Sequence, residues 1–341
     1  MKKLSWPDKI IYFINIIFSI LLLICYILPY FSPKHFPEIA TISLTLPVLL
    51  IINVIFLLYW LFKLKIQLLL PAIVLILGFD LITNILVFGN QPKSGVESIS
   101  LMSFNVRHFD IYDWLDKDQI PQQIQQFILE ESPDIIAFQD FYENKDFQLN
   151  SLYPHRYVWQ KSKQRYNGLA IFSKFPIVNT GSLNFPETSN NCIFADIVKD
   201  EDTIRLYNVH FESLKLKPDV NSIKSQDQKK LIGRVGAAFK KQVEQFQRLQ
   251  KEIAKNNYKK IVAGDLNNTS YSYLYHLLRS ENLKDAFIER GNGYGKTFDF
   301  DFIPLRIDVI LVDDKLIQVT DFKNYNVKLS DHYPIKAHLA F

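Results

Sequence analysis

The sequence predicts an α/β domain of packed mixed β-sheets with outer helices, preceded by three membrane-spanning helices. The first 90 residues hold three long apolar stretches, whereas the rest of the 341-residue chain has the mixed composition of a globular domain. In that second part, strand-like apolar runs often follow one another directly and helices are few. This order favours mixed sheets over a simple parallel βαβ array.

The apolar stretches are 10–31, 41–62 and 68–88, and each reaches the ~20 residues that a helix needs to cross a bilayer. They are apolar on all sides, whereas buried helices of a soluble domain keep a polar face. A signal peptide could explain only the first, and two more stretches follow it. We therefore expect a transmembrane segment over 1–88 and a polar linker over 89–98.

Lysines predict the orientation of this segment. They cluster before the first stretch and between the second and third, at Lys2, Lys3, Lys9, Lys63 and Lys65. The positive-inside rule then places the N-terminus in the cytoplasm. Three crossings put residues 89–341 in the periplasm of a Gram-negative cell, anchored to the inner membrane. Asp80 opposes the third crossing by about 2.5–3.5 kcal/mol, and without that crossing the domain would face the cytoplasm.

In the second part, the strand-like runs are 99–105, 134–139, 157–160, 168–173, 193–198, 204–210, 260–264, 306–312 and the residues after His332. Helical periodicity predicts helices over 119–131, 226–255 and 271–280. The formal net charge of +4 is too small to imply a nucleic-acid partner. The contexts of the two cysteines give no reason to pair them, and no zinc-ligand spacing exists.

Six motifs join an apolar, β-branched run to a small polar cluster. In chain order they are SFNVRHF (Asn105), IIAFQDF (Gln139 and Asp140), YNVHFES (Asn208 and His210), IVAGDLNN (Asp265 and Asn267), LRIDVIL (Asp308) and SDHYPI (Ser330, Asp331 and His332). This pattern is typical of buried strands that end in an active site. Carboxylate and amide oxygens suit a hard cation such as Mg²⁺, and histidines near carboxylates suit acid–base work on phosphate esters.

Period-two alternation sharpens two of these motifs, and position at a strand end singles out a third. Asp265 and Asn267 flank Leu266, so both side chains should face one pocket. Asn208 and His210 share a strand face in the same way, and we expect both to face substrate. Asp140, at a strand end, is the best candidate metal ligand.

With all six motifs in order, residues 98–341 resemble the endonuclease/exonuclease/phosphatase superfamily of metal-dependent phosphoesterases. This superfamily includes pancreatic-type deoxyribonucleases, abasic-site endonucleases, sphingomyelinases and inositol polyphosphate 5-phosphatases. The resemblance implies a four-layer α/β sandwich over 99–341, with the active site at the edge where the strand ends of two packed mixed sheets meet. It also implies hydrolysis of a phosphoric ester by a positioned water, with Mg²⁺ or Mn²⁺ as cofactor.

The resemblance also implies roles for individual residues. Asn105 lies beside metal and phosphate, Asp140 holds the metal, and Asp331 lies at the metal edge. Asp140 stands where relatives usually have Glu, so the metal would sit closer to the strand or bind through a water. The remaining roles are catalytic or substrate-binding: Asp265 orients or deprotonates the water, Asn267 holds the phosphate, His210 donates to a phosphoryl oxygen, and Asp308 fixes the imidazole of His332.

The substrate stays open at this stage. We favour a lipid or small phosphoester, because the apolar stretches would hold the site near a bilayer. An extracytoplasmic nuclease is the alternative, since Lys161, Lys163, Arg165 and Tyr166 interleave basic and aromatic residues. A membrane-tethered, non-catalytic phosphate-binding protein is the third hypothesis, which the intact polar motifs oppose. The sequence leaves the oligomeric state open.

Overall fold

The computed structural model describes residues 4–89, 92–93, 95–115, 117–162, 167–216, 220–301 and 303–341. The N-terminal part is helical, with α1 (Trp6–Ile27), α2 (Pro37–Ala40), α3 (Leu46–Phe62), α4 (Leu69–Leu77) and α5 (Phe79–Thr83). Short 3-10 turns at Leu28–Tyr30, Thr41–Thr45 and Ile66–Leu68 join these helices into longer segments.

Two of these segments, among the described residues, are long and apolar enough to cross a membrane. They are Trp6–Tyr30 with 25 residues and Pro37–Phe62 with 26. The prediction of a third full-length span is wrong, because its helix Ile66–Leu77 is shorter than the ~20 residues that a crossing needs. The helix is interrupted at Gly78, where a Cβ would lie 2.1 Å from the Tyr26 ring.

The two long helices bury polar side chains between them. Asn15 Nδ2 donates to Ser19 Oγ at 3.2 Å, and Ser19 Oγ donates to Asn53 Oδ1 at 2.9 Å. Trp60 Nε1 donates to Asn15 Oδ1 at 3.2 Å. Large apolar side chains point outward instead, among them Phe13, Ile17, Ile20, Ile51, Ile55 and Phe62. Polar side chains bonded to each other in the interior, with an apolar exterior, are typical of helices surrounded by lipid.

The two ends of this helical hairpin differ in what they contact. At one end Lys63 Nζ lies 2.7 Å from Asp8 Oδ1, which joins the start of α1 to the end of α3. The opposite end, around Pro37, meets the second part of the chain so closely that a Cβ on Gly236 would lie 2.8 Å from the Pro37 carbonyl carbon. The start of α1 and the end of α3 therefore lie at the end of the hairpin away from the α/β domain.

The α/β domain contains β1 (Ile99–Asn105), β2 (Ile135–Gln139), β3 (His155–Gln160), β4 (Gly168–Ser173), β5 (Ile177–Ser182), β6 (Asn191–Lys199), β7 (Asp202–His210), β8 (Lys259–Asp265), β9 (Leu283–Asp285), β10 (Phe298–Phe300), β11 (Ile303–Leu305), β12 (Asp308–Asp313), β13 (Gln318–Asn324) and β14 (Ile335–Ala340). Its helices are α6 (Ile120–Glu131), α7 (Val220–Lys224), α8 (Gln228–Ile253), α9 (Tyr273–Ser280) and α10 (Ala286–Arg290).

The strands form two six-stranded mixed sheets, in the orders β13-β14-β1-β2-β4-β3 and β5-β6-β7-β8-β12-β9, while β10 and β11 pair separately. Apolar side chains from both sheets form the central core, for example Leu101, Ile171, Ile193 and Ile261. Helix α6 covers the first sheet, and α8 and α9 cover the second. The predicted four-layer sandwich is confirmed. Lys93, within the predicted linker, contacts the domain, because its backbone N–H donates to Thr320 O at 2.8 Å.

The strand register brings the polar motifs to one edge. Strands β1 and β2 are parallel and end together at Asn105 and Gln139. Strands β7 and β8 are also parallel and end together at His210 and Asp265. Strand β12 starts opposite the same end, with Asp308 paired to Asp265. Both sheets therefore deliver their polar strand ends to the same rim of the sandwich.

Candidate active site

A buried carboxylate–imidazole cluster forms the floor of this rim. His332 Nδ1 lies 2.9 Å from Asp308 Oδ2, and His332 Nε2 lies 3.8 Å from Asp265 Oδ2. All three side chains are nearly inaccessible, with 7% or less exposed. Burial alone would lower the pKa of the His332 imidazole, but the Asp308 and Asp265 carboxylates outweigh it and raise that pKa to about 10. His332 is therefore an imidazolium at neutral pH.

Asp265 is held by two amide donors. Asn105 Nδ2 donates to Asp265 Oδ2 at 3.1 Å, and the backbone N–H of Asn267 donates to Asp265 Oδ1 at 2.7 Å. Burial raises the pKa of Asp265 to about 6, against the opposing attraction of the neighbouring imidazoles. A carboxylate with such a pKa can accept a proton near neutral pH and is suited to general-base work.

Asp140 and His210 extend the site toward solvent. His210 lies between two carboxylates, with Nδ1 3.5 Å from Asp140 Oδ1 and Nε2 3.5 Å from Asp265 Oδ2. The other oxygen of Asp140 lies 3.7 Å from His108 Nε2. The Asp140 side chain keeps 19% of its surface exposed, so its carboxylate faces the opening rather than the protein interior.

Arg107 is a site residue that the sequence reasoning missed. Its guanidinium lies 3.0 Å from Asp331 Oδ2 and 3.8 Å from the centre of the Trp114 ring. The stacking and the ion pair hold a cationic fork at the rim. Arg107 and His108 could have been found from their position in the motif SFNVRHF, just after the strand that ends at Asn105.

The backbone after β1 is in a rare conformation. Residues Arg107, His108, Phe109 and Asp110 all have positive φ, between 43° and 58°. Each such non-glycine residue costs roughly 1–2 kcal/mol, so the turn persists only because its surroundings fix it. The turn places Arg107 and His108 at the mouth of the site. Asp140 and Asn267 have positive φ as well, at 47° each.

Asn208 does not reach the site, so the structure opposes its predicted role in substrate binding. Its Nδ2 donates to Phe138 O at 2.8 Å and to Ala170 O at 2.9 Å, and its Oδ1 accepts from Gln139 Nε2 at 2.8 Å. The side chain is fully buried. Both amide hydrogens are thus used to join the two sheets, one step deeper than His210 on the same strand face.

The remaining predicted residues surround one cavity of about 700 Å³. Its lining includes Asn105, Asp140, His210, Asp265, Asn267, Asp331 and His332. Asp308 lies behind His332 as its hydrogen-bond partner. Among the described residues, the cluster of acidic and histidine side chains with mutually close ligand atoms is Asp265, Asp308 and His332, within 4.8 Å of one another.

Residues 102–332 match the model of the endonuclease/exonuclease/phosphatase family. The chain belongs to this family. Family members are phosphoesterases and nucleases that generally use divalent metals, and the chain is accordingly a phosphoric ester hydrolase. Residues 8–85 match a second model, described as a domain of unknown function. None of the curated proteins matches the chain.

Solved structures share the fold of the family domain. The endonuclease/exonuclease/phosphatase from Bacteroides vulgatus is 20% identical, with a TM-score of 0.52 over 72% of this chain and 99% of that chain. The human nocturnin catalytic domain with bound sulfate is 18% identical, with a TM-score of 0.53 over 72% and 94%. D. rerio TDP2 complexed with single strand DNA product is 15% identical, with a TM-score of 0.51 over 72% and 100%. At these identities the likeness is one of fold.

Proposed function

We propose that this protein is a membrane-anchored, divalent-metal-dependent phosphoesterase that hydrolyses a lipid or small phosphoester by a positioned water. The observation that carries the proposal is the Asp308–His332–Asp265 cluster, which faces Asp140 and His210 in one cavity. It combines a cation, a carboxylate poised near neutral pH and a more open carboxylate, which phosphate ester hydrolysis requires.

The donor set at the mouth fits Mg²⁺ or Mn²⁺. Asp140, Asn105 and Asp331 offer carboxylate and amide oxygens along the cavity wall, which are the ligands that these hard cations prefer. We propose these three as ligands rather than the buried cluster, because Asp140 is the more open carboxylate and Asp308 does not line the cavity. A bound cation would neutralise charge on the phosphoryl oxygens and orient the phosphate.

Side chains of the protein perform the proton transfer and stabilise the charge that develops on the phosphoryl group. Asp265 accepts a proton from the water as the water oxygen bonds to phosphorus and the ester oxygen departs on the opposite side. The His332 imidazolium, held by Asp308, donates a hydrogen bond to the phosphoryl group where negative charge grows. His210 and Asn267 lie along the same wall and add donors to the phosphoryl oxygens.

We propose that α1 and α3 cross the inner membrane and that residues 89–341 lie in the periplasm. We also propose a division into a transmembrane segment over 1–88, a linker over 89–98 and a catalytic domain over 99–341. The supporting observation is the hairpin itself, whose lysine-bearing end at Lys63 lies away from the catalytic domain. The chain must return from Lys63 to that domain, and Ser270 Oγ contacts Asn84 O at 2.9 Å there. Residues 66–84 make that return as an interrupted segment rather than as a third full-length span.

The nuclease alternative has little support in the described structure. Its sequence signal lay in residues 161–166, and Lys163, Arg165 and Tyr166 fall outside the described residues. D. rerio TDP2 with its single strand DNA product shares the fold, which favours no substrate by itself. A non-catalytic binder would not hydrolyse any ester.

Hydrolysis of bis(p-nitrophenyl) phosphate by the purified full-length chain tests the proposal. We expect activity with Mg²⁺ or Mn²⁺, loss with chelator and recovery on adding metal back. Full activity in metal-free protein would contradict the mechanism, and no activity with either metal would favour a binder. A panel of plasmid DNA, sphingomyelin and inositol phosphates then distinguishes the substrate classes.

A further inference from the structure

The catalytic cavity has two chemically distinct ends. Asp265, His332 and Asp140 line the polar end. A cluster of aliphatic side chains lines another part of the cavity, with Leu214, Leu216, Ile223, Leu231, Ile232 and Val235. A volume of about 700 Å³ falls within the ~300–1,000 Å³ of small-molecule sites. The cavity therefore has room for a ligand with a polar head and an apolar body.

The helical hairpin supplies part of the apolar wall. Thr41, Ile42, Leu44 and Thr45 line the cavity, and they belong to the turn that leads into α3. Ile42 is 36% exposed, and Ile39, on the adjacent α2, is 48% exposed. The same continuous apolar segment thus forms a wall of the catalytic cavity and a proposed membrane span.

The same lining opposes a nucleic-acid strand as the occupant. A groove for single-stranded nucleic acid needs basic residues along the backbone and aromatic rings that are open for stacking. In the described lining the lysine and arginine residues are Lys215 and Arg107, and Arg107 is paired with Asp331. Trp114 already stacks on Arg107, and the Phe298 ring lies 4.9 Å from the His332 ring.

We propose that the substrate is an amphiphilic phosphoester, a membrane lipid whose phosphate lies at Asp265 and His332 and whose hydrocarbon chain lies between α8 and the turn Thr41–Thr45. This inference rests on the proposed function, because it assigns the tail of the ester that the site hydrolyses. The hydrocarbon chain of the lipid would contact Ile232 on α8, which is 41% exposed, and Ile42 in the turn Thr41–Thr45.

The test compares two esters that differ only in their hydrocarbon part, p-nitrophenyl ethyl phosphate and p-nitrophenyl octyl phosphate. The octyl ester is kept below its micelle-forming concentration, and the full-length chain is assayed in detergent with Mg²⁺ or Mn²⁺. Because each buried methylene favours binding up to about fourfold, we expect kcat/KM to be at least tenfold higher for the octyl ester.

Two variants test where the hydrocarbon chain of the substrate lies. Ile232→Glu and Ile42→Glu each place a charge in the apolar end at a partly exposed position, and each should reduce the octyl-to-ethyl ratio toward one. Leu129→Glu is the matched control, since Leu129 lies on α6 outside the cavity and is 42% exposed. It should keep the ratio of the unmodified chain.

The outcomes separate the two proposals. Absence of hydrolysis of both esters would overturn the proposed function itself. Equal hydrolysis of both esters, or an unchanged ratio in both cavity variants, would overturn the lipid assignment alone. Faster hydrolysis of a single-stranded oligonucleotide than of the octyl ester would overturn it in favour of a nucleic acid.

Discussion

Removal of the carboxylate behind His332 is the most informative perturbation of this site. Asp308 Oδ2 lies 2.9 Å from His332 Nδ1, and the Asp308 side chain is 2% exposed. Asp308→Asn keeps the shape but removes the charge that outweighs the effect of burial on the imidazole. The pKa of His332 should fall, so the imidazolium form should be lost as the pH rises through the new, lower pKa.

The expected loss of rate in each variant follows from the proposed roles of His332 and Asp308. His332→Ala removes the donor outright and should cost roughly 10²–10⁴-fold in rate, the usual scale for a general acid or base. Asp308→Asn should cost less at low pH than at high pH, because the lowered pKa of His332 leaves more imidazolium at low pH. Residues that act as one unit lose activity non-additively, so the double variant should be little slower than His332→Ala.

The assay is the metal-supported hydrolysis of bis(p-nitrophenyl) phosphate between pH 6 and 9, with thermal unfolding to verify folding. Asp313→Asn is the matched control, because Asp313 is a buried carboxylate at the far end of the same strand, β12. It should leave the rate unchanged within about twofold. Losses that multiply in the double variant would refute the reasoning, as would parallel pH profiles for Asp308→Asn and the unmodified chain.

Three further predictions concern the metal, the topology and the fold. Asp140→Ala should weaken metal use and regain activity in excess Mg²⁺ or Mn²⁺; a folded variant without recovery would remove Asp140 as a ligand. A reporter that works only outside the cytoplasm, fused after Phe341, should be active; activity of a cytoplasm-only reporter there would contradict the periplasmic placement. Lys336, Tyr325 and Lys323 outweigh desolvation and lower the pKa of Glu131 from 4.5 to about 2. Because solvent screens these partly exposed pairs, Glu131→Gln should lower the free energy of unfolding at pH 7 by only about 1 kcal/mol. The difference in unfolding free energy between the variant and the unmodified protein should shrink as the pH falls from about 5 to 2. A difference in thermal unfolding that does not change with pH would refute this prediction.

The sequence pattern predicted the buried parts of the fold well, because period and apolarity report burial. Strands β1, β2, β7 and β8 are largely buried, and the sequence pattern predicts their bounds within one or two residues. The edge strand β5 was missed, since its residues are largely exposed and include Asn, Thr, Gly and Ser. The third span was overestimated because composition alone does not reveal the break at Gly78, which depends on the Tyr26 ring from another helix.

In the site, too, features set by local sequence pattern were predictable, and features set by packing between distant residues were not. Strand ends carry Asp265, His210 and Asp308 to one rim, and the alternation that predicted their faces is a local property of strands. Alternation also placed Asn208 correctly on the face of His210, but only the packing of the opposite sheet decides that its amide is used by backbone carbonyls. Arg107 depends on a left-handed turn that no propensity predicts for non-glycine residues.

Hydrolysis in ¹⁸O-labelled water tests the central claim most directly, because that claim is attack on phosphorus by a water that Asp265 activates. Mass spectrometry of the products of p-nitrophenyl octyl phosphate should find ¹⁸O in the octyl phosphate and none in the nitrophenol. Asp265→Asn, which keeps the shape but cannot take the proton, should slow this incorporation at least about 10²-fold. Label in the nitrophenol, or unchanged incorporation in Asp265→Asn, would contradict the mechanism.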